Sequence, residues 1–264
     1  MKILVATPAY DSTVTTSCYR SVIGLITHFR ETRSDVQLEV SVLSHLSVTH
    51  ARNLFATAIL SDPTFSHLLF VDADMGFRPQ LIEKMIDWNK PVIGTFYPYR
   101  ELQEDAFHLE SRRFDDADKA RMSAQKFVGE EVLFENESGP YHVQSGFIKV
   151  SAAGTGIMLI QRHVFEQLRE RYPDLWFPDW KDGQRSGLFQ CFAAVQDKSG
   201  CYVGEDISFC RRWVEGCEGE IWSCASEPIS HLGRKVFQGR FLDRLAAKFG
   251  QQRKAPAKPP TSSE

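Results

Sequence analysis

Apolar positions in the first hundred residues fall into two alternating rhythms. Ile3 to Ala6 is a short continuous apolar run, and Leu38 to Leu43 alternates apolar with polar residues; both read as strands. Between them Val14, Cys18, Val22, Leu25, Ile26 and Phe29 recur at helical spacing, with Asp11, Ser12 or Thr13 expected as the cap. A second helix, which Thr49 can cap, carries Ala51, Leu54, Phe55, Ala58 and Ile59 on one side. Leu68 to Val71 is apolar throughout, as a strand buried on both faces must be. Pro79 suits the first turn of a third helix, with Leu81, Ile82, Met85, Ile86 and Trp88 as its buried face. Val92 to Thr95 is a fourth strand. Strands and helices alternating through short connections predict right-handed βαβ units. The expected fold class is α/β, with a Rossmann-like, mostly parallel central sheet flanked by helices.

After Tyr99 the rhythm changes. Residues 101–126 are highly charged, with a short helix expected around Asp116 to Lys126, and read as a surface excursion. Glu131 to Phe134, Tyr141 to Val150 and Gly156 to Ile160 read as strands of a smaller, mixed part of the sheet. Gly154-Thr155-Gly156 marks a bend where backbone approaches a neighbour closely. Val164, Phe165 and Leu168 continue as a helix, and residues 172–203 read as aromatic-rich loop. Glu205 to Glu215 is a helix that Gly216 stops. Glu220 to Cys224 and Ile229 to His231 are short extended pieces, and Val236 to Phe249 is a basic amphipathic segment. The Lys/Pro/Ser-rich stretch 251–264 is expected to be disordered.

Composition narrows the function classes. The chain has 264 residues, 42% of them apolar, enough for one sizeable core. Acid and base nearly balance at a net charge of −3, which gives no electrostatic footprint for nucleic acid or an anionic membrane. No apolar run is long enough to span a bilayer. Met1 to Ala6 is cut short by Thr7 and Pro8 and reads as a first strand rather than a leader. Six cysteines occur without a CxxC pair, so they are expected as small buried side chains in a reducing cytoplasm. No GxGxxG follows the first strand, so a dinucleotide fingerprint is absent.

The third strand stops in two carboxylates, Asp72 and Asp74. An unpaired charge inside a buried strand is very costly, so both belong at its carboxyl end, where open α/β sheets place ligands. Oxygen ligands on a rigid strand end suit Mg²⁺ or Mn²⁺, ions that share their shell with a substrate's phosphates. The same two residues also suit a plain turn before a helix. Gly204-Glu205-Asp206 opens a helix further along, and His231 with Gly233 falls near the end of the periodic sequence.

Taken in order, these features resemble a known family. Val71-Asp72-Ala73-Asp74 looks like the DxD motif of GT-A fold glycosyltransferases, and Ala6-Thr7-Pro8-Ala9-Tyr10 resembles their first-strand nucleotide loop. Ala51-Arg52-Asn53 resembles the pair that opens their second helix. Gly204-Glu205-Asp206 with Phe209 to Trp213 looks like their acidic acceptor-side motif. Ile229 to Gly233 resembles the segment of their late metal-binding histidine. The likeness covers about residues 1 to 235, is nearest to the family-2-like enzymes, and does not include the charged excursion.

The resemblance implies one domain over residues 1–250, with a nucleotide-binding half at 1–100 and an acceptor-side half at 127–235. It implies a sugar moved from a nucleotide-sugar donor, UDP before GDP, to a glycan or other hydroxyl acceptor, with Mn²⁺ or Mg²⁺ as cofactor. Asp74 and His231 are then the metal ligands, and Asp72 serves the ribose or a water on the ion. An imidazole beside a carboxylate favours Mn²⁺ over Mg²⁺. Thr7, Pro8, Tyr10, Asp11, Arg52, Asp72 and Ala73 would line the donor; Arg52 at a helix start can meet phosphate. Asp206 is the candidate general base, sharing an inward face with Cys210 and Trp213 while Glu205, grouped with it as catalytic, points elsewhere. Gly154, Thr155, Trp176 and Trp180 are candidates for the acceptor, with Phe177 and Trp213 as further aromatic faces. Inversion through Asp206 is expected, with retention left open. A nucleotidyltransferase acting on a sugar phosphate and a non-catalytic sugar-nucleotide binder are the alternatives.

Overall fold

The first apolar run is longer than its sequence pattern predicts. Strand β1 (Lys2–Ala9) carries straight through Thr7 and Pro8, and the turn begins only at Tyr10. Beyond Ala6, β1 is paired on one side only, a position that tolerates a proline without an N–H. The structure, a computed structural model, describes residues 1–101, 103–130, 142–181, 184–233 and 236–249.

Helix α1 (Thr16–Thr32) is capped by Thr15, because Asp11 spends its carboxylate on Thr13 in a local turn. Strand β2 (Gln37–Ser44) is followed by α2 (Val48–Ser61), whose cap is Ser47 rather than Thr49. Strand β3 (His67–Val71) leads to the two-residue β4 (Met75–Gly76), then α3 (Pro79–Trp88) with Pro79 in its first turn, then β5 (Val92–Thr95). The charged excursion holds two short helices, α4 (Glu104–Glu110) and α5 (Ala117–Ala124), the second capped by Asp116.

Of the strand expected over Tyr141 to Val150, only β6 (Phe147–Val150) is extended; Glu131 to Phe134 and Tyr141 lie outside the described residues. Strand β7 (Ile157–Gln161) runs directly into α6 (Arg162–Arg171). The stretch expected as loop is instead a hairpin, β8 (Trp176–Lys181) with β9 (Gln184–Phe189), followed by the short pair β10 (Val195–Gln196) and β11 (Tyr202–Val203). Helix α7 (Glu205–Arg211) ends in a π-helical turn at Arg212–Gly216. Strands β12 (Ile221–Cys224), β13 (Ile229–Leu232) and β14 (Val236–Gly239) precede α8 (Phe241–Phe249). The basic segment is therefore a strand and a helix, not one amphipathic helix. Residues 251–264 lie outside the described residues.

The central sheet has seven strands in the order β2-β1-β3-β7-β5-β12-β6. It is mostly parallel; β7 and β6 run against the others. Its alternating side chains feed two cores. Leu4, Leu68 and Phe70 pack with Phe55 of α2 and Phe165 of α6 on one face. Ile3, Leu69 and Val71 pack with Leu25 of α1 and Ile82 of α3 on the other. A second sheet, β14-β13-β4, stands at the carboxyl end of β3. Among the described residues no helix is long and apolar enough to cross a membrane.

Candidate active site

The turn after β3 is pinned from three sides. The Asp72 N–H donates to the Gly156 carbonyl at 2.8 Å, and the Ala73 carbonyl accepts from Thr15 N–H at 2.8 Å. The Asp74 carbonyl accepts from Leu232 N–H at 2.9 Å. One strand of the sheet, the start of α1 and β13 therefore fix both carboxylates at the end of a rigid strand.

On one side of this turn lies an ion cluster with a buried guanidinium and two partly exposed carboxylates. Arg52 sits on the inward face of α2 and is 3% exposed. Its Nη2 donates to both Asp72 carboxylate oxygens, at 3.0 and 3.1 Å, and its Nη1 donates to Glu205. Two expectations change here. Arg52 is not free to meet phosphate, because two carboxylates hold its guanidinium. Glu205 does not point away from the site, because it completes that cluster. Burial alone would push Arg52 down, but Asp72 and Glu205 raise it above its ordinary value. Burial pushes the Asp72 carboxyl up, and Arg52 offsets only part of that.

Above the turn is a second cluster with a different character. The pairing of β4 with β13 sets His231 opposite Met75, so the imidazole arrives beside Asp74. His231 Nδ1 lies 2.8 Å from the Pro98 carbonyl, which can only accept, so Nδ1 carries a proton and Nε2 presents its lone pair. That Nε2 stands 3.6 Å from Asp74 Oδ2. Arg100 reaches both: its Nε donates to His231 Nε2 at 2.8 Å and its Nη2 to Asp74. Tyr97 packs edge-on against the imidazole, with centroids 5.4 Å apart. Burial pushes Asp74 up, but the cationic surroundings of its carboxylate, the Arg100 guanidinium among them, outweigh it and leave the carboxyl below its ordinary value.

The donor set matches the expected metal in part. Among the described residues no group of three or more His, Cys, Asp and Glu could hold an ion by itself. Asp74 and His231 supply one oxygen and one nitrogen, with the Nδ1–H fixed by a backbone carbonyl as in metal-ligating histidines. An ion that takes the rest of its shell from phosphates and water needs no more than a few protein ligands. Asp72, committed to Arg52, is not placed to be a third.

Asp206 lies in the first turn of α7, one residue beyond Glu205. Burial and then the Glu205 charge push its carboxyl above the ordinary value. Its chain neighbour Glu205 pairs with Arg52, so the start of α7 stands beside that cluster.

The other expected residues scatter more widely. Thr7 and Pro8 are buried strand residues, while Tyr10 is 69% exposed beyond the end of β1 and Asp11 is turned onto Thr13. Ala73 is half-buried between the two aspartates. Gly154 and Thr155 are buried, so they give an acceptor no surface. A Cβ on Gly154 would lie 2.3 Å from the Tyr97 hydroxyl, so that ring is what the bend approaches. Trp176 packs under the Arg169 guanidinium, 4.6 Å from its ring centroid, against the far half of α2. The side chain of Trp180 lies outside the described residues. Trp213 is core, its indole N–H donating to the Glu220 carbonyl at 3.1 Å, whereas Phe177 is exposed.

Sequence reasoning missed Arg100 and Tyr97. Both follow β5, whose carboxyl end lies at the same sheet edge as that of β3, and that shared edge was the available signal.

No family model and no curated protein sequence matches this chain. Solved structures show partial likeness. A197 from STIV is 15% identical over 88% of this chain and 86% of its own, with a TM-score of 0.46. GalNAc-T7, crystallised with UDP, GalNAc and Mn²⁺, is 10% identical over 88% of this chain, with a TM-score of 0.43. The match spans only 43% of the GalNAc-T7 chain. A putative glucose-1-phosphate thymidylyltransferase from Bacillus anthracis, in complex with a sucrose, is 10% identical over 98% of both chains, with a TM-score of 0.40. Likeness at this level assigns no residue a role.

Proposed function

We propose that this chain is a metal-dependent glycosyltransferase of the GT-A type. It moves a sugar from a nucleotide-sugar donor, UDP preferred over GDP, to a hydroxyl acceptor. The observation that carries this reading is the convergence of Asp74 Oδ2 and His231 Nε2, 3.6 Å apart, at the carboxyl end of a buried strand.

Each group has a distinct task. Asp74 and His231 would hold Mn²⁺ or Mg²⁺, whose charge offsets that of the departing diphosphate. Asp72 and Glu205 keep Arg52 in place, so the floor of the site carries a fixed charge pattern before substrate arrives. Tyr10, exposed past β1, offers a ring on which a base can lie. Asp206 takes the proton from the acceptor hydroxyl as its oxygen attacks the anomeric carbon; its raised carboxyl is a better base than an ordinary aspartate. Attack from the Asp206 side with departure on the diphosphate side inverts the sugar.

Calorimetric titration of UDP, GDP and their sugar conjugates, with Mn²⁺ and with chelator, tests the donor. Metal-dependent binding of one nucleotide supports the reading. Loss of nucleotide binding under every condition removes it. Pyrophosphate release from a nucleoside triphosphate and a sugar phosphate would move the chain to the nucleotidyltransferases. Binding without turnover across a broad acceptor panel would leave a sugar-nucleotide binder.

A further inference from the structure

We infer that Arg100 is a built-in competitor for the divalent cation, taking turns with it on Asp74 and His231. The inference rests on the metal-dependent reading above and adds a residue to it.

The argument begins with a single lone pair. With the His231 Nδ1–H given to Pro98, Nε2 has one acceptor position, and the Arg100 Nε–H fills it at 2.8 Å. An ion bound at Nε2 needs the same lone pair. Metal and guanidinium therefore exclude each other at His231, and Asp74 is shared by the same two claimants through the Arg100 Nη2.

The chain is shaped to let Arg100 in. Its stem lies over Gly233, where an added Cβ would come within 3.1 Å of Arg100 Cβ and 3.2 Å of Cδ. The backbone behind it is held: Tyr99 N–H donates to the Lys126 carbonyl at 2.9 Å, and Val128 N–H to the Tyr97 carbonyl at 2.9 Å. The side chain itself is 53% exposed, against 20% for Asp74 and 10% for His231. The acceptors are thus fixed and the cation on them is the loose partner. A half-exposed guanidinium leaves for water at little cost, whereas the buried Arg52 has no such exit.

Without metal, Arg100 keeps a carboxylate and an imidazole in register; with metal, it is released at the rim. Its presence weakens metal binding by whatever its two hydrogen bonds contribute.

The test is Mn²⁺ binding to the full chain without nucleotide, read from the loss of the free-ion paramagnetic resonance signal. Arg100→Ala should bind Mn²⁺ roughly tenfold more tightly than the unaltered protein, as expected for losing a charge-assisted, solvent-screened competitor. Arg100→Gln, which keeps the bulk but not the charge, should also tighten binding. Adding Asp74→Ala to Arg100→Ala should abolish it. Equal or weaker binding by Arg100→Ala, with Asp74→Ala still lowering affinity, overturns the competition and leaves the metal site standing. Absence of Mn²⁺ binding in both the unaltered chain and Arg100→Ala overturns the competition together with the metal assignment. In an arginine-labelled sample, saturating Mg²⁺ should shift the Arg100 Nε–H resonance; an unchanged resonance also overturns it.

Discussion

The two charge clusters at the end of β3 are built alike and differ in how far the guanidinium reaches water. In the lower one Arg52 is 3% exposed and tied to two carboxylates, Asp72 and Glu205. In the upper one Arg100 is 53% exposed and tied to one carboxylate and one imidazole. A buried guanidinium is fixed by its carboxylates, because leaving them would strand its charge in a low-dielectric interior. An exposed guanidinium exchanges with other cations at small cost. The lower cluster is a floor, and the upper one is a socket.

The largest effect that should follow is on the floor. Arg52→Met should lower folding stability by about 2 kcal/mol, because Asp72 and Glu205, each partly exposed, lose the charge-assisted hydrogen bonds of the cation they share. Denaturant midpoints measure this; an unchanged midpoint would mean the floor is no more fixed than the socket.

Next comes Asp206. Asp206→Asn should cut transfer by at least about 100-fold while donor affinity stays near that of the unaltered protein, and near-normal transfer would remove Asp206 as the base. Its raised carboxyl sets two signs. If Asp206 is the base, transfer by the unaltered protein should rise with pH along a limb lying above 3.8. A raised acid also favours the fold below its unfolded value and gives up that contribution as pH climbs through the folded one. At neutral pH, then, Asp206→Asn should be as stable as the parent or slightly more so.

The smallest effect on the fold belongs to the socket. Asp74 sits below its ordinary value, so its contribution is present above about pH 4 and is lost as pH falls through the folded value. Asp74→Ala should therefore cost only about 1 kcal/mol at neutral pH. It should nonetheless remove the Mn²⁺-dependent part of nucleotide binding. A stability loss as large as that of Arg52→Met would erase the distinction between the two clusters.

The parallel half was legible because its signal is local. Leu68 to Val71 must be buried on both faces, and Pro79 and the apolar face of α3 announce themselves within a few residues. Caps slipped by two to four positions where neighbouring hydroxyls and carboxylates compete for the same turn, as Asp11 and Thr15 do. The β8–β9 hairpin was hidden because its sequence, with Pro178, Asp179 and Gly187, has no apolar alternation. Of the site, the aspartates and His231 were readable as residue types at strand ends. Their partners were not. Arg52 reaches Glu205, and Arg100 reaches His231, across long stretches of chain, and only the sheet order brings such residues together.

The two-residue strand β4 has one more consequence. It is the ruler against which β13 is measured, pairing Met75 with His231 and Gly76 with Ser230. Side chains alternate along β13, so a shift of one residue would turn the imidazole to the opposite face and present Ser230 or Leu232 to Asp74 instead. The length of the segment from Ala225 to Pro228 that leads into β13 therefore sets this register, while Ala225 itself is buried in the core. An insertion or deletion there would misalign His231 with Asp74 and would also turn Ile229 out of the core it fills.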